Sequence, residues 1–290
     1  MSLDAIKVTT HQFISFDETP IYYQHVRNAE SPKAIAIIIH GMGEHGARYR
    51  SFAEYLAGLG LESYIPDLRG FGKSGGKRAY INSFSDLHKD LEALHAFVAR
   101  THKEVPIVII GHSFGGLVAS SYLAFCRQPR AVQGLALSSP IFGIAVPVPF
   151  WRHCVGVLMS YIFPSYSEAT KVDPGLLTHD REISERYAKD DLIFHRISAR
   201  LYRELRLMLK KRDLIAQRLN LPVLVLQAGE DFVVSKDATV NFYDQLKTSD
   251  KELEVYKDFY HEILNETGRD QVYSRIGLWI LNKIDRKPLL

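Results

Sequence analysis

The chain has 290 residues, of which 46% are hydrophobic and 24% charged, enough apolar material for a sizeable core and too much for a disordered chain. A formal net charge of +3 is too small to favour nucleic acid as a partner. Two cysteines, Cys126 and Cys154, stand in no paired or metal-ligand spacing; neither a disulfide framework nor a zinc site is expected, and both read as buried packing residues.

The opening MSLDAIKVTTHQF lacks the apolar run of a signal peptide, and no stretch of about 18 uncharged apolar residues follows it, so the expected location is cytoplasmic. HQFISFDETPIYYQHV holds two alternating stretches joined at Thr19-Pro20, the pattern of a hairpin. Apolar runs then recur as AIAIII (34–39), LESYIP (61–66), VPIVII (105–110), GLALSS (134–139) and LPVLVLQA (221–228). Most lack polar alternation, as strands do when buried on both faces of a parallel sheet. Helical spacing separates them. After Ser83, the residues Phe84, Leu87, Leu91, Leu94 and Val98 keep one apolar face, and Ser83 with Asp86 forms a capping-box signal. Two later helices are marked by Val240, Tyr243 and Leu246 and by Val272, Ile276, Trp279 and Ile280. Such alternation implies a mostly parallel sheet covered by helices on both faces. It breaks between 141 and 218, where no strand-like run is visible, and this segment reads as an insertion.

Within that frame VIIGHSFGG places Gly111-His112-Ser113-Phe114-Gly115 directly after a strand and before the helical LVASSYLAF. This is the context of a nucleophile elbow, in which a strained turn lifts a serine hydroxyl above the sheet and glycines let the backbone pass closely. Gly72-Lys73-Ser74-Gly75-Gly76 also fits GxSxG, but no strand leads into it. Nor is it a phosphate loop, because Asp67 occupies the place of the required first glycine. A serine hydroxyl needs a base to take its proton and an acid to orient that base. Asp231, just past LPVLVLQA, and His261, in the loop after the short strand LEVY, both stand at strand C-terminal ends, the edge where open α/β sheets build sites. Glu230 is the rival acid, with Asp231 preferred. His40, His45 and His112 belong to glycine turns and are read as positioning loops, and His153, His179 and His195 receive no role. Two backbone amides should bind a tetrahedral oxyanion: that of Phe114 in the elbow and that of Met42 in His40-Gly41-Met42-Gly43.

HGMGEHGARY, PDLRGFGKSGGKR, GHSFGG, GED followed by FVV, and His261-Glu262 resemble the monoacylglycerol lipase and lysophospholipase branch of the α/β hydrolases. The likeness implies an α/β-hydrolase fold, with residues 1–140 and 219–290 as core and 141–218 as a helical cap. It also implies Ser113, Asp231 and His261 as triad, the amides of Met42 and Phe114 as oxyanion hole, and no metal or organic cofactor. The expected activity is serine hydrolysis of lipid-like esters. A small-ester, thioester or peptide hydrolase is the alternative, and a non-catalytic binding module the remote one. Phe114 and Met42 stand where the family often has methionine and alanine, a difference that bears on pocket shape. Phe142, Val146, Val148, Phe150, Trp151, Leu158 and Phe163 are candidates to line an acyl site or to pack the cap. Residues 196–218 carry eight basic side chains against Glu204 and Asp213, with Ile197, Leu201, Leu205 and Met208 on one face. The segment reads as a basic amphipathic helix, either a solvated face or a contact to an anionic membrane. No nucleic-acid partner is expected, and the oligomeric state is not legible.

Overall fold

A computed structural model of the chain describes residues 6–28, 31–126, 132–145, 148–170 and 172–284. The strands are β1 (Lys7–Ile14), β2 (Pro20–Arg27), β3 (Ala34–Ile39), β4 (Leu61–Pro66), β5 (Ile107–His112), β6 (Val132–Ser138), β7 (Ser167–Ala169), β8 (Arg196–Ser198), β9 (Val223–Ala228) and β10 (Lys251–Tyr256). Eight of them form one sheet in the order β1-β2-β4-β3-β5-β6-β9-β10. The expected hairpin pairs antiparallel from Lys7 opposite Arg27 to Ile14 opposite Pro20, and β2 meets β4 antiparallel; every other pairing in the sheet is parallel.

The uninterrupted apolar runs have a direct cause. In β3 the alternate residues Ile35, Ile37 and Ile39 enter one hydrophobic layer, while Ala34, Ala36 and Ile38 enter the other. In the same way Ile107 and Ile109 in β5 oppose Val108 and Ile110, and Val223 and Val225 in β9 oppose Leu224 and Leu226. The first layer is closed by α2 (Phe84–Thr101), α3 (Phe114–Phe125) and later helices, the second by α1 (Arg50–Gly58) and the C-terminal helix α9 (Arg269–Ile284). Ser83 caps α2 as its sequence predicts: its hydroxyl accepts the Ser85 amide at 3.3 Å, and Asp86 accepts the Ser83 amide at 3.0 Å. The helix Lys236–Gln245, α8, buries Thr239 and Phe242, with Leu246 just beyond it. Val240 and Tyr243, read as its apolar face, are only half-buried, so that face is rotated by one residue from the expectation.

Leaving β3, the chain pairs β4 on one side and returns as β5 on the other. The strand order therefore reverses here, and the C-terminal ends of β3 and β5 flank a crevice of the kind that accepts ligands in open α/β sheets.

Between β6 and β9 lie α4 (Phe150–Ile162), β7, α5 (Arg181–Lys189), β8, α6 (Ala199–Leu209) and α7 (Arg212–Arg218). The sequence shows no strand here, yet β7 and β8 pair antiparallel; at three residues each they are too short to leave a periodic signal. The expected single helix over 196–218 is instead a strand and two helices, and Leu201, Leu205 and Met208 are consumed by the main core. Among the described residues of α4 only Ser160 is buried. Phe150, Trp151 and, just past the helix, Phe163 are 80%, 63% and 62% exposed, and Val148 and Leu158 are exposed as well. These side chains therefore neither line an interior nor pack on the core. Phe142 does pack, stacked on Phe242 with ring centroids 3.6 Å apart, whereas Val146 lies outside the described residues. Cys126 is half-buried as a packing residue, but Cys154 rides on α4 and is exposed, contrary to the sequence expectation.

Replacing Ser83 with alanine should lower stability by about 1 kcal/mol through loss of the α2 cap. Urea unfolding of Ser83→Ala would show a lower midpoint at an unchanged slope.

Candidate active site

Ser113 lies between β5 and α3 with φ 51° and ψ −114°, backbone strain that a non-glycine residue adopts only where its surroundings enforce it. Those surroundings are visible. A Cβ at Gly115 would lie 2.2 Å from the Ile39 carbonyl oxygen and 2.5 Å from that of His40, and one at Gly111 would lie 2.5 Å from the Gly115 oxygen. Both glycines of the pattern are thus required by contact with backbone. The Ser113 amide donates to the Ser138 carbonyl at 3.0 Å, and its own carbonyl accepts Gly116 and Ile141, so the turn is held from β6 as well. Ser74, the serine of the second GxSxG, donates its hydroxyl to the Asp67 carbonyl at 2.6 Å and accepts the Tyr22 amide at 2.9 Å. It fastens a loop, as the absence of a preceding strand indicates.

Asp231 and His261 arrive from the ends of β9 and β10. The two loops are pressed together at Gly229, where a Cβ would stand 2.1 Å from the Lys257 carbonyl oxygen. His261 Nδ1 donates to Asp231 Oδ2 at 2.8 Å. Asp231 Oδ1 accepts the amides of Val233 and Val234 at 2.9 and 2.8 Å, while Gln227 Nε2 donates to Oδ2 at 3.1 Å. Glu230, the rival acid, is exposed. The His261 ring stands 4.9 Å from that of His112, the residue preceding Ser113 in the chain. A Cβ at Gly41 would touch both His112 and Ser113, at 3.3 and 3.4 Å, so the loop carrying Met42 closes on the same point. Phe114 opens α3, and its amide has no partner within that helix. Among the described residues no hydrogen bond joins the Ser113 hydroxyl to the imidazole, a contact that in such sites often tightens only with substrate bound.

Electrostatics separate the two neighbouring histidines. Burial disfavours a charge on His261, but the charge and hydrogen bond of Asp231, helped by Glu262 and Glu44, outweigh it and raise its pKa above 6.5. For His112, burial and the proximity of His261 lower the pKa to about 3, and its Nδ1 is engaged with the Ser138 hydroxyl at 3.0 Å. Burial opposes ionisation of Asp231 too, yet His261 and the two amides keep its carboxyl below the usual range. His40 is buried, bonded through Nδ1 to the Gly41 carbonyl and accepting the Leu68 amide at Nε2, which fits the loop-holding role expected of it. His45 bonds Asp190, His153 bonds the Tyr202 hydroxyl and His179 bonds Glu266. Among the described residues no cluster of three or more His, Cys, Asp or Glu side chains is disposed to hold a metal ion.

Sequence reasoning passed over Gln227, which supplies the fourth hydrogen bond to Asp231, and the charged group Glu44, Arg48 and Glu262 beneath the site. Gln227 ends an apolar strand run, and a buried glutamine there was a usable signal.

Comparison with known proteins adds an independent line. The model of the family described as serine aminopeptidase, S33, matches residues 30–268. Phospholipase YtpA of Bacillus subtilis is 32% identical over 251 residues, covering 85% of this chain and 94% of that protein. An uncharacterized abhydrolase domain-containing protein of Dictyostelium discoideum is 30% identical over 255 residues, 88% of this chain but 27% of its own length. The crystal structure of a monoacylglycerol lipase from Paleococcus ferrophilus superposes with a TM-score of 0.81 at 25% identity, covering 96% of this chain and 99% of that one.

Imidazole NMR titration should find His261 still protonated above pH 6.5 and His112 neutral down to about pH 4, given their opposite shifts. Coincident titration of the two near 6.5 would contradict the arrangement.

Proposed function

The chain belongs to the serine aminopeptidase S33 family of hydrolases, and from that premise we propose that it cleaves carboxylic esters of lipid-like substrates, monoacylglycerol or lysophospholipid, through an acyl-enzyme on Ser113. It is a serine hydrolase, and the observation that carries the assignment of residues is the buried Asp231–His261 pair, whose imidazole lies 4.9 Å from that of His112, the neighbour of the strained Ser113. His261 Nδ1 is committed to Asp231, which leaves Nε2 to take the Ser113 proton as the hydroxyl attacks the ester carbonyl. Asp231 holds the tautomer and stabilises the imidazolium that results. The amides of Met42 and Phe114 receive the oxyanion, each worth roughly a factor of 10² to 10³ in rate. His261 then returns the proton to the leaving alcohol, and water repeats the sequence to release the acid.

The lipid-like substrate is supported by the phospholipase and monoacylglycerol lipase among the similar proteins and by the surface of residues 141–218, proposed as the cap. Burying an acyl chain gains about 0.8 kcal/mol per methylene, a return that favours an apolar approach to the site. The outward face of α4 with Phe163 is such an approach, since exposed aromatic patches of this kind mark contact with lipid or protein. Because α6 spends its apolar residues on the core, we assign insertion to α4 and leave the basic side chains of 196–218 an electrostatic part at anionic headgroups. Among the described residues no helix is long and apolar enough to cross a membrane, so the contact proposed is peripheral.

Wild-type protein should hydrolyse p-nitrophenyl esters and monoacylglycerol and be labelled by a fluorophosphonate, with both lost in Ser113→Ala. Its kcat/KM should fall with acid about a midpoint above pH 6.5, because protonated His261 is no base. Faster cleavage of leucine p-nitroanilide than of any ester would favour a peptidase instead. In liposome sedimentation, Trp151→Ala with Phe163→Ala should reduce binding several-fold, and raised salt should weaken what remains on anionic vesicles.

A further inference from the structure

Beneath the elbow three buried charges join the loop after β3 to the loop after β10. Arg48 lies in a 3-10 turn, Gly46–Tyr49. Its guanidinium makes a two-pronged contact with Glu262, Nη1 to Oε1 and Nη2 to Oε2, both at 2.6 Å, and Nη1 also reaches Glu44 Oε2 at 2.5 Å. All three side chains are nearly removed from solvent. The other oxygen of Glu44 accepts the Gly41 amide and the Tyr49 hydroxyl, each at 2.6 Å. Glu262 follows His261 in the chain and is steadied by Asn265 at 3.0 Å. A continuous path of charge-assisted hydrogen bonds thus runs from the peptide preceding Met42 to the residue following His261. The Tyr187 ring covers Arg48 at 4.7 Å, sealing the path from above.

We propose that Arg48 is a positioning residue that clamps the loop bearing the Met42 oxyanion amide to the loop of the general base, with Glu44 and Glu262 as its two arms. The inference rests on the ester-hydrolase reading of the site. Two features favour positioning over bulk stability. Buried ion pairs repay their desolvation poorly, so a network of this kind contributes little that apolar packing could not. Its fixed, planar geometry, however, sets the separation of two loops whose relative placement must hold to a fraction of an ångström for the oxyanion donors and the base to act together. Arg48 itself touches neither Ser113 nor Asp231; it acts through the backbone of the two loops.

The test compares Arg48→Lys and the double variant Arg48→Met with Glu262→Met against wild type, using p-nitrophenyl butyrate kinetics and thermal unfolding. Arg48→Met alone would strand two carboxylates in the interior, whereas the double variant leaves Glu44 with its Tyr49 and Gly41 donors and remains able to fold. Expected is a fall in kcat of at least tenfold in the double variant, with KM within about threefold of wild type and cooperative unfolding retained. Arg48→Lys, which keeps the charge but loses the fork, should recover part of kcat. Wild-type turnover of the ester tests the proposed function, and the ratio of variant to wild type tests the clamp. A folded double variant with wild-type kcat, or a fall in kcat that only tracks loss of folded protein, would overturn it.

Discussion

The site depends on one close approach of backbone to backbone: at Gly115 the elbow helix sits so near the last carbonyls of β3 that a methyl group would lie 2.2 Å from the Ile39 oxygen. That contact places the turn at Ser113 against the loop carrying Met42. The strain at Ser113 lies beside it, a backbone conformation that persists only where the surroundings enforce it. The remaining parts of the site come from the ends of β9 and β10, pressed together at Gly229. Four strand ends thus meet at one edge, with side chains far apart along the polypeptide brought together by the order of the sheet.

Charge is arranged around this point with a consistent sign. Asp231, Glu44 and Glu262 all favour a proton on His261, while Arg48 compensates the two glutamates below. His112, a few ångströms away, is held neutral by burial and by His261 itself. Two imidazoles in contact would otherwise compete for the same proton. Their separation leaves His261 as the imidazole proposed for the base, bonded to a carboxylate that is itself fastened by Gln227 and two amides.

Strands buried on both faces are the most readable feature of this sequence. AIAIII and LESYIP correspond residue for residue to β3 and β4, and the later strands are displaced only by about two residues at their ends. Of the proposed triad, Ser113 and Asp231 follow such strands, whereas His261 follows the half-buried β10, and position, not residue type, is what proposes it among 12 histidines. Other features left no local trace. Arg48 and Glu262 are 214 residues apart, so nothing in either neighbourhood announces the pair. β7 and β8 are too short to show a period, and the run of basic residues hides a break at Lys210 and Lys211. The aromatic side chains of α4 suggest interior packing by composition, but among the described residues no element covers their outer face, and Cys154 is exposed with them.

The most direct measurement is a crystal structure of the protein after reaction with a phosphonate ester. Phosphorus should be bonded to Ser113 Oγ, with His261 Nε2 turned toward the leaving-group side. The phosphonyl oxygen should lie about 2.7 to 3.1 Å from the amide nitrogens of both Met42 and Phe114. An adduct on another residue, or a phosphonyl oxygen directed away from those two amides, would contradict it.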